Sequence, residues 1–201
     1  MFWNFTKGMN MIKERYLIAM TGASGIRYGT ALLRVMKEMK LDLDLILSEN
    51  AKEILNFEGA PLPEVPESGS YTLYSNKNLF SPPASGSVRY SAMIIIPCSM
   101  STAGKINSCI GDNLITRAAQ VMLKEARKLI IVPRETPLST QHLKMLYDLS
   151  RSGTIVVPAS PGFYHHPKDI TDLENFMCQK ILGLLGMDAN LFEPFSGRLS
   201  E

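Results

Sequence analysis

Short apolar runs and stretches of helical periodicity take turns along the chain. Residues 16–20 (YLIAM) form a strand-length apolar run that stops at Thr21-Gly22-Ala23-Ser24-Gly25, after which Leu32, Leu33, Met36 and Met39 recur at helical spacing. Residues 41–47 (LDLDLIL) alternate before turning fully apolar, and Ser48 then stands as an N-cap ahead of a helix over 49–55. The most apolar run, 92–96 (AMIII), feeds Pro97-Cys98-Ser99 and predicts a central parallel strand followed by a loop. Next, 113–128 reads as a helix with Leu114, Ala118, Val121 and Met122 on one side. A buried strand over 129–132 stops at Pro133-Arg134-Glu135-Thr136-Pro137, and a helix over 140–151, a strand over 154–157 and a last helix over 172–185 complete the pattern. Between them, residues 59–90 hold five prolines among glycines and serines and predict a long surface excursion.

Strands separated by helices predict a parallel sheet covered on both faces, because parallel strands need long crossovers to return to the same edge. Ligands of open α/β sheets bind outside the carboxyl ends of the strands. The loops at 21–25, 48, 97–104, 133–139 and 158–166 are therefore expected to converge, and they are the most chemically loaded stretches of the chain.

Composition narrows the class further. With 201 residues, 45% hydrophobic and 20% charged, the chain reads as one compact globular domain, not a disordered tail, a collagen-like fibre or a disulfide scaffold. A net charge of +2 with dispersed basic residues carries no footprint for nucleic acid. Cys98, Cys109 and Cys178 are odd in number and lack metal-type spacing, which points to reduced thiols in the cytoplasm. No segment approaches the roughly 18 apolar residues of a membrane span, and no signal-peptide pattern is present. Residues 1–11 read as a loose N-terminal extension, 12–190 as a single domain and 191–201 as a C-terminal tail.

The glycines of Thr21-Gly22-Ala23-Ser24-Gly25 allow close backbone approach at a helix start, which suits an anion or a flavin edge, but a ligand-free tight turn fits equally. Ser24 reads as a helix cap or a catalytic hydroxyl. The loop from Pro97 to Lys105 offers three hydroxyls and several amides for ring carbonyls or phosphate oxygens, or else caps the next helix. Cys98 reads as a buried inert thiol rather than a nucleophile. Arg134-Glu135, charged and held between prolines at a strand end, is poorly explained by packing and points to function. Arg117 and Lys124 lie two turns apart on nearly one helix face, as a solvated face also would. His165-His166 has only His142 to join it, so a non-metal role is preferred.

In combination and in this order, AMTGASGIRYG (19–29), PCSMSTAGKI (97–106), NLITRAAQVMLKEARKLIIVPRETPLS (113–139) and PASPGFYHHP (158–167) resemble the flavin prenyltransferases of the UbiX/Pad1 family. The resemblance implies an α/β, flavodoxin-like or Rossmann-like three-layer sandwich around a parallel central sheet, with 12–190 a single flavoprotein domain. It implies metal-independent joining of dimethylallyl monophosphate to reduced FMN, at N5 and then at C6, with release of phosphate. The product, prenylated FMN, would serve a UbiD-type decarboxylase, and the assembly would be a homododecamer with sites at subunit contacts.

By position, the resemblance sets Gly22, Ala23, Ser24, Ser48, Ser99, Met100, Ser101, Thr102 and Arg134 against FMN, with Ser24 near the reacting N5 and Arg117 supporting the phosphate end. Lys124, Arg134, Tyr164 and Lys180 fall on positions that hold the prenyl phosphate, and Ser24, Glu58 and Glu135 on catalytic ones. Many members carry arginine where this chain has Lys180, which keeps the charge but loses the planar fork. Two other functions compete: an FMN-dependent cysteine decarboxylase of the phosphopantothenoylcysteine type, and a flavin-binding protein without catalysis. The former uses an early catalytic histidine, whereas this chain has no His before His142.

Overall fold

A strand covered on both faces must be apolar on both, so runs such as 16–20 show no alternation. A computed structural model describes residues 14–60, 62 and 71–193, and in it such runs form one all-parallel sheet. In chain order the elements are β1 (Arg15–Met20), α1 (Ile26–Glu38), β2 (Asp42–Leu47), α2 (Glu49–Phe57), β3 (Tyr71–Ser75), β4 (Ala92–Cys98) and α3 (Met100–Asn107). They continue with α4 (Leu114–Lys124), β5 (Lys128–Pro133), α5 (Thr140–Arg151), β6 (Ile155–Val156) and α6 (Ile170–Leu184). The sheet order is β3-β2-β1-β4-β5-β6. The chain thus winds outward from β1 to one edge and returns to β4 on the other side of β1. The crevice above that divergence, between the carboxyl ends of β1 and β4, is where sheets of this order take ligands.

Alternate residues of each strand feed two cores. Ile18, Met20, Ile94 and Ile96 pack with Leu32 and Met36 of α1 and Met177 and Ile181 of α6. Leu17, Ala19, Met93 and Ile95 pack with Ile106 of α3 and Leu114, Ala118 and Met122 of α4. The result is the three-layer α/β sandwich expected from the sequence. Helix α1 lies very close to the sheet: a β-carbon on Gly29 would stand 2.4 Å from the carbonyl oxygen of Ile96, a separation only glycine permits. Among the described residues no helix is long and apolar enough to cross a membrane.

Three departures from the sequence pattern have local causes. The excursion over 59–90 contains an edge strand, β3, which pairs with β2 from Leu43↔Tyr71 to Leu47↔Ser75. Only Tyr71 of its five residues is fully buried, so it lacks the apolar run that marks the inner strands. The loop expected after 96 is instead the last turn of β4 and, immediately after Ser99, helix α3. The helix expected over 113–128 closes at Lys124, because Ala126 takes φ 50 and turns the chain into β5. The extension over 1–11 lies outside the described residues, as do 194–201 of the tail; of 191–193, Leu191 and Phe192 donate their amides to Gln179 Oε1.

One carboxylate is buried inside the sheet layer. Asp44 of β2 is inaccessible to solvent and accepts from Arg15 Nη2 at 2.8 Å and from the Tyr90 hydroxyl. Burial pushes its carboxyl above the usual range, opposed by the Tyr90 hydrogen bond and the Arg15 charge. Tyr90→Phe removes one of these donors and is expected to lower unfolding stability by about 1–3 kcal/mol. Urea denaturation checks this; an unchanged midpoint would mean that Arg15 and the Thr72 backbone suffice for the carboxylate.

Candidate active site at the strand carboxyl ends

The crevice is closed at its base by Thr21. Its buried hydroxyl donates to the Pro97 carbonyl (2.9 Å) and accepts from the Ser99 amide (2.7 Å), tying the turn after β1 to the turn after β4. The β1 turn then runs through Gly22, Ala23 and exposed Ser24 to Gly25, whose φ of 84 lies in the left-handed region and whose lack of a side chain leaves α1 uncapped from within. The acceptor comes from elsewhere. Glu58, at the end of α2, takes the amides of Gly25 (2.9 Å) and Ile26 (3.2 Å) on its carboxylate, where a negative charge also complements the helix dipole. Glu58 is therefore engaged one residue from Ser24.

Ser48, Ser99 and Asn113 each cap the helix that follows, accepting from Ala51, Thr102 and Thr116 respectively. The Ser99 and Thr102 hydroxyls also meet at 3.0 Å. All three helix starts open onto one cleft of about 340 Å³, lined in addition by Gly22, Asn50, Asn76, Ser101 and Lys105. A β-carbon on Gly22 would collide with Asn50 Cβ at 2.5 Å, so glycine keeps this wall closed up. Of the expected loop, Met100 is buried and Ser101 exposed, as successive residues of a helix. Asn76 accepts from Leu114 N (2.8 Å) through its carbonyl and from Ile115 N (3.0 Å) through its side chain, fastening the end of β3 to α4. Hydroxyls, amides and converging helix dipoles form a donor set suited to an anionic, ring-bearing ligand such as a flavin mononucleotide.

A second cleft of about 140 Å³ lies beside the first, lined by Arg134, Glu135, Thr136, Pro158 and Ser160 among others. Arg134 ties this cleft to the turn after β1, whose Thr21 and Gly22 line the first cleft, because its Nε donates to the Ser24 carbonyl at 3.0 Å. The Glu135 carboxylate accepts from the Thr136 amide (3.0 Å) and is exposed. Tyr164 packs edge-on against Phe176, with ring centroids 5.6 Å apart, and Lys180 Nζ stands 5.5 Å from the centre of the same ring. Tyr164 and Lys180 are thus neighbours through Phe176. His165 is stacked on Phe176 and tilted over Phe192, with Nε2 3.3 Å from the Asp172 carbonyl. Among the described residues no group of three or more His, Cys, Asp or Glu is placed to hold a metal ion.

Lys124 is not brought to this site within one chain. Helix α4 starts at the cleft and runs about 16 Å back toward the amino end of the sheet. There Lys124 pairs with Glu125 at 2.7 Å, near the segment that Arg127 holds through the Gly86 and Val88 carbonyls. Arg117, one turn into α4, donates to the Ala84 carbonyl at 3.2 Å. Thr21, Asn76, Lys105 and Asn113 line the cleft although the sequence did not single them out as site residues. For Asn113 the signal was present, as an N-cap type before a helix; for Asn76 it was hidden in the proline-rich excursion.

A family model described as Flavoprotein matches residues 5–182. The flavin prenyltransferase UbiX of Methanothermobacter thermautotrophicus is 38% identical over 190 residues, covering 94% of this chain and 99% of that protein. The mitochondrial flavin prenyltransferase PAD1 of Saccharomyces cerevisiae is 36% identical, over 94% of this chain and 78% of its own. The chain belongs to the flavin prenyltransferase family. Among solved structures, AnUbiX (PadA1) in complex with FMN and dimethylallyl pyrophosphate superposes with a TM-score of 0.87 at 34% identity, covering 93% of this chain and all of that one. A PPC decarboxylase mutant complexed with pantothenoylaminoethenethiol, at 20% identity and a TM-score of 0.58, shares the fold alone.

In this flavin prenyltransferase chain two of the three thiols are buried. Burial pushes Cys98 and Cys178 up to about 12, whereas Cys109 is exposed. Since the thiolate is the nucleophile, a thiol-disulfide reagent at pH 8 is expected to modify only Cys109 in the native protein and all three cysteines after unfolding. Rapid native labelling of Cys98 would show that the β4 turn opens.

Proposed function

We propose that this chain transfers the dimethylallyl group of dimethylallyl monophosphate to reduced FMN, at N5 and then C6, and supplies prenylated FMN to a UbiD-type decarboxylase. The observation that carries this is the Arg134–Ser24 hydrogen bond, which ties the cleft holding Glu135 to the glycine-rich turn whose Thr21 and Gly22 line the helix-capped cleft. A ligand with a flat ring system and an anionic tail fills the first, and a small phosphate ester fits the second. Reduced flavin supplies the electron-rich acceptor for the allylic carbon.

The chain's own residues have four tasks. Breaking the allylic C–O bond leaves its electron pair on the departing phosphate, so donors and cations aimed there act most strongly in the transition state. Arg134, the Tyr164 hydroxyl and Lys180 take that role, and Glu135 moves a proton at the leaving oxygen. Ser24 holds the flavin edge near N5. Glu58 is a positioning residue as well as a candidate acid, since it fixes the amides that set the Ser24 turn.

Lys124 completes the phosphate site from another copy of the chain. A dodecameric FMN-dependent UbiX-like decarboxylase from Escherichia coli O157:H7, 37% identical with a TM-score of 0.80 over 87% of this chain and 96% of that one, supports a homododecamer. The three free thiols fit a reducing compartment, and we place the protein in the cytoplasm.

Anaerobic incubation with reduced FMN and dimethylallyl monophosphate, followed by mass spectrometry of the flavin, tests the activity. Glu135→Gln is expected to bind FMN normally and to slow prenylation by about 10²–10⁴-fold; loss of FMN binding with unchanged turnover per bound flavin would reject its role. Co-assembly of Ser24→Ala chains with Lys124→Ala chains is expected to restore activity above that of either variant alone. A mixture no more active than its parts would place Lys124 outside the site.

A further inference from the structure

Lys105 is the one cation among the described residues lining the larger cleft. It sits on α3 one turn beyond Ser101 and so shares that helix face. Its Nζ is now held by Asp112 Oδ2 at 2.6 Å, while the other oxygen of Asp112 accepts from Asn113 Nδ2 at 2.8 Å. Asp112 is exposed and is not part of the cleft lining. Exposed ion pairs of this kind contribute little, and the lysine stem is flexible enough to move between neighbouring anions.

The cleft itself has unequal walls. At α4 the first amides are already taken: Leu114 and Ile115 by Asn76, and Thr116 by Asn113. At α2 and α3 the caps reach the third amide, at Ala51 and Thr102, which leaves the two amides ahead of each without an intrahelical acceptor. Glu49, the carboxylate in the lining, is paired with Lys52 at 3.3 Å. An anion therefore finds its donors on the α2 and α3 side of the cleft, with Lys105 as its only full positive charge among the lining residues.

We propose that the flavin phosphate seats against the starts of α2 and α3 and that Lys105 is its counter-ion, released from Asp112 when the phosphate arrives. This rests on the flavin reading above and assigns Lys105 and Asp112 to it. Lys105 then sets the preference for FMN over riboflavin, which carries the same ring without the phosphate. Asp112 holds the lysine in reserve and competes with the ligand.

Titration of FMN and of riboflavin by fluorescence quenching, with the full chain in its native assembly, tests this without turnover. Wild type is expected to prefer FMN. Lys105→Met is expected to lose about tenfold in FMN affinity with riboflavin unchanged, and Lys105→Arg to recover most of the loss. Asp112→Asn is expected to bind FMN about threefold more tightly. The FMN-to-riboflavin ratio is the deciding quantity: if it is the same in Lys105→Met as in wild type, Lys105 does not meet the phosphate. Equal wild-type affinity for the two flavins would remove the phosphate seat while leaving the flavin assignment intact. Failure of wild type to bind either flavin would reject the assignment itself.

Discussion

The site depends on one hydroxyl. Strands β1 and β4 are neighbours in the sheet, but the chain leaves them into helices on opposite faces, and at their ends the backbone contributes the Thr21 amide, which donates to the Pro97 carbonyl at 3.2 Å. The Thr21 hydroxyl adds a second bond to that carbonyl and extends the join to the Ser99 amide. A hydroxyl is required because the bond runs both ways; valine, of the same shape, would leave the Ser99 amide without its acceptor and the Pro97 carbonyl with the residue 21 amide (3.2 Å) as its remaining donor. Two walls of the crevice are hung from that join. Ser99 caps α3 from it, and Gly22 to Ser24 descend from it to meet Arg134.

The inner strands were legible because burial on both faces leaves an unbroken apolar run, and the positions of Arg134 and Glu135 were legible because charge at a strand end is hard to account for by packing. What escaped has physical reasons too. Edge strand β3 buries little, so its sequence resembles that of a loop. Helix α3 is eight residues long and opens Met-Ser-Thr, of which Ser and Thr are weak helix formers, and a serine cap holds its start. The contacts of Glu58 with Gly25 and of Asn76 with α4 join residues 33 and 39 apart or nearly so, and no local periodicity encodes a bond of that span.

Lys124 illustrates a different limit. Its place at the far end of α4 follows directly from helix geometry, so sequence spacing alone already separates it from Ser24 along one chain. Family resemblance and single-chain geometry conflict only for a monomer. The proposed site shared between copies would reconcile them, and would account for basic residues matched to one small phosphate standing at both ends of the sheet.

Helix α2 has a consequence of its own. It begins at Ser48 in the larger cleft and ends at Glu58 on the first turn of α1, so its nine residues act as a ruler between two walls of the crevice. Adding or removing one residue would rotate Glu58 by about 100° around the helix axis and point its carboxylate away from Gly25. Length is therefore a quantity this segment must preserve as much as the identity of its cleft-lining residues Glu49 and Asn50: an insertion or deletion would break the contact between Glu58 and the start of α1.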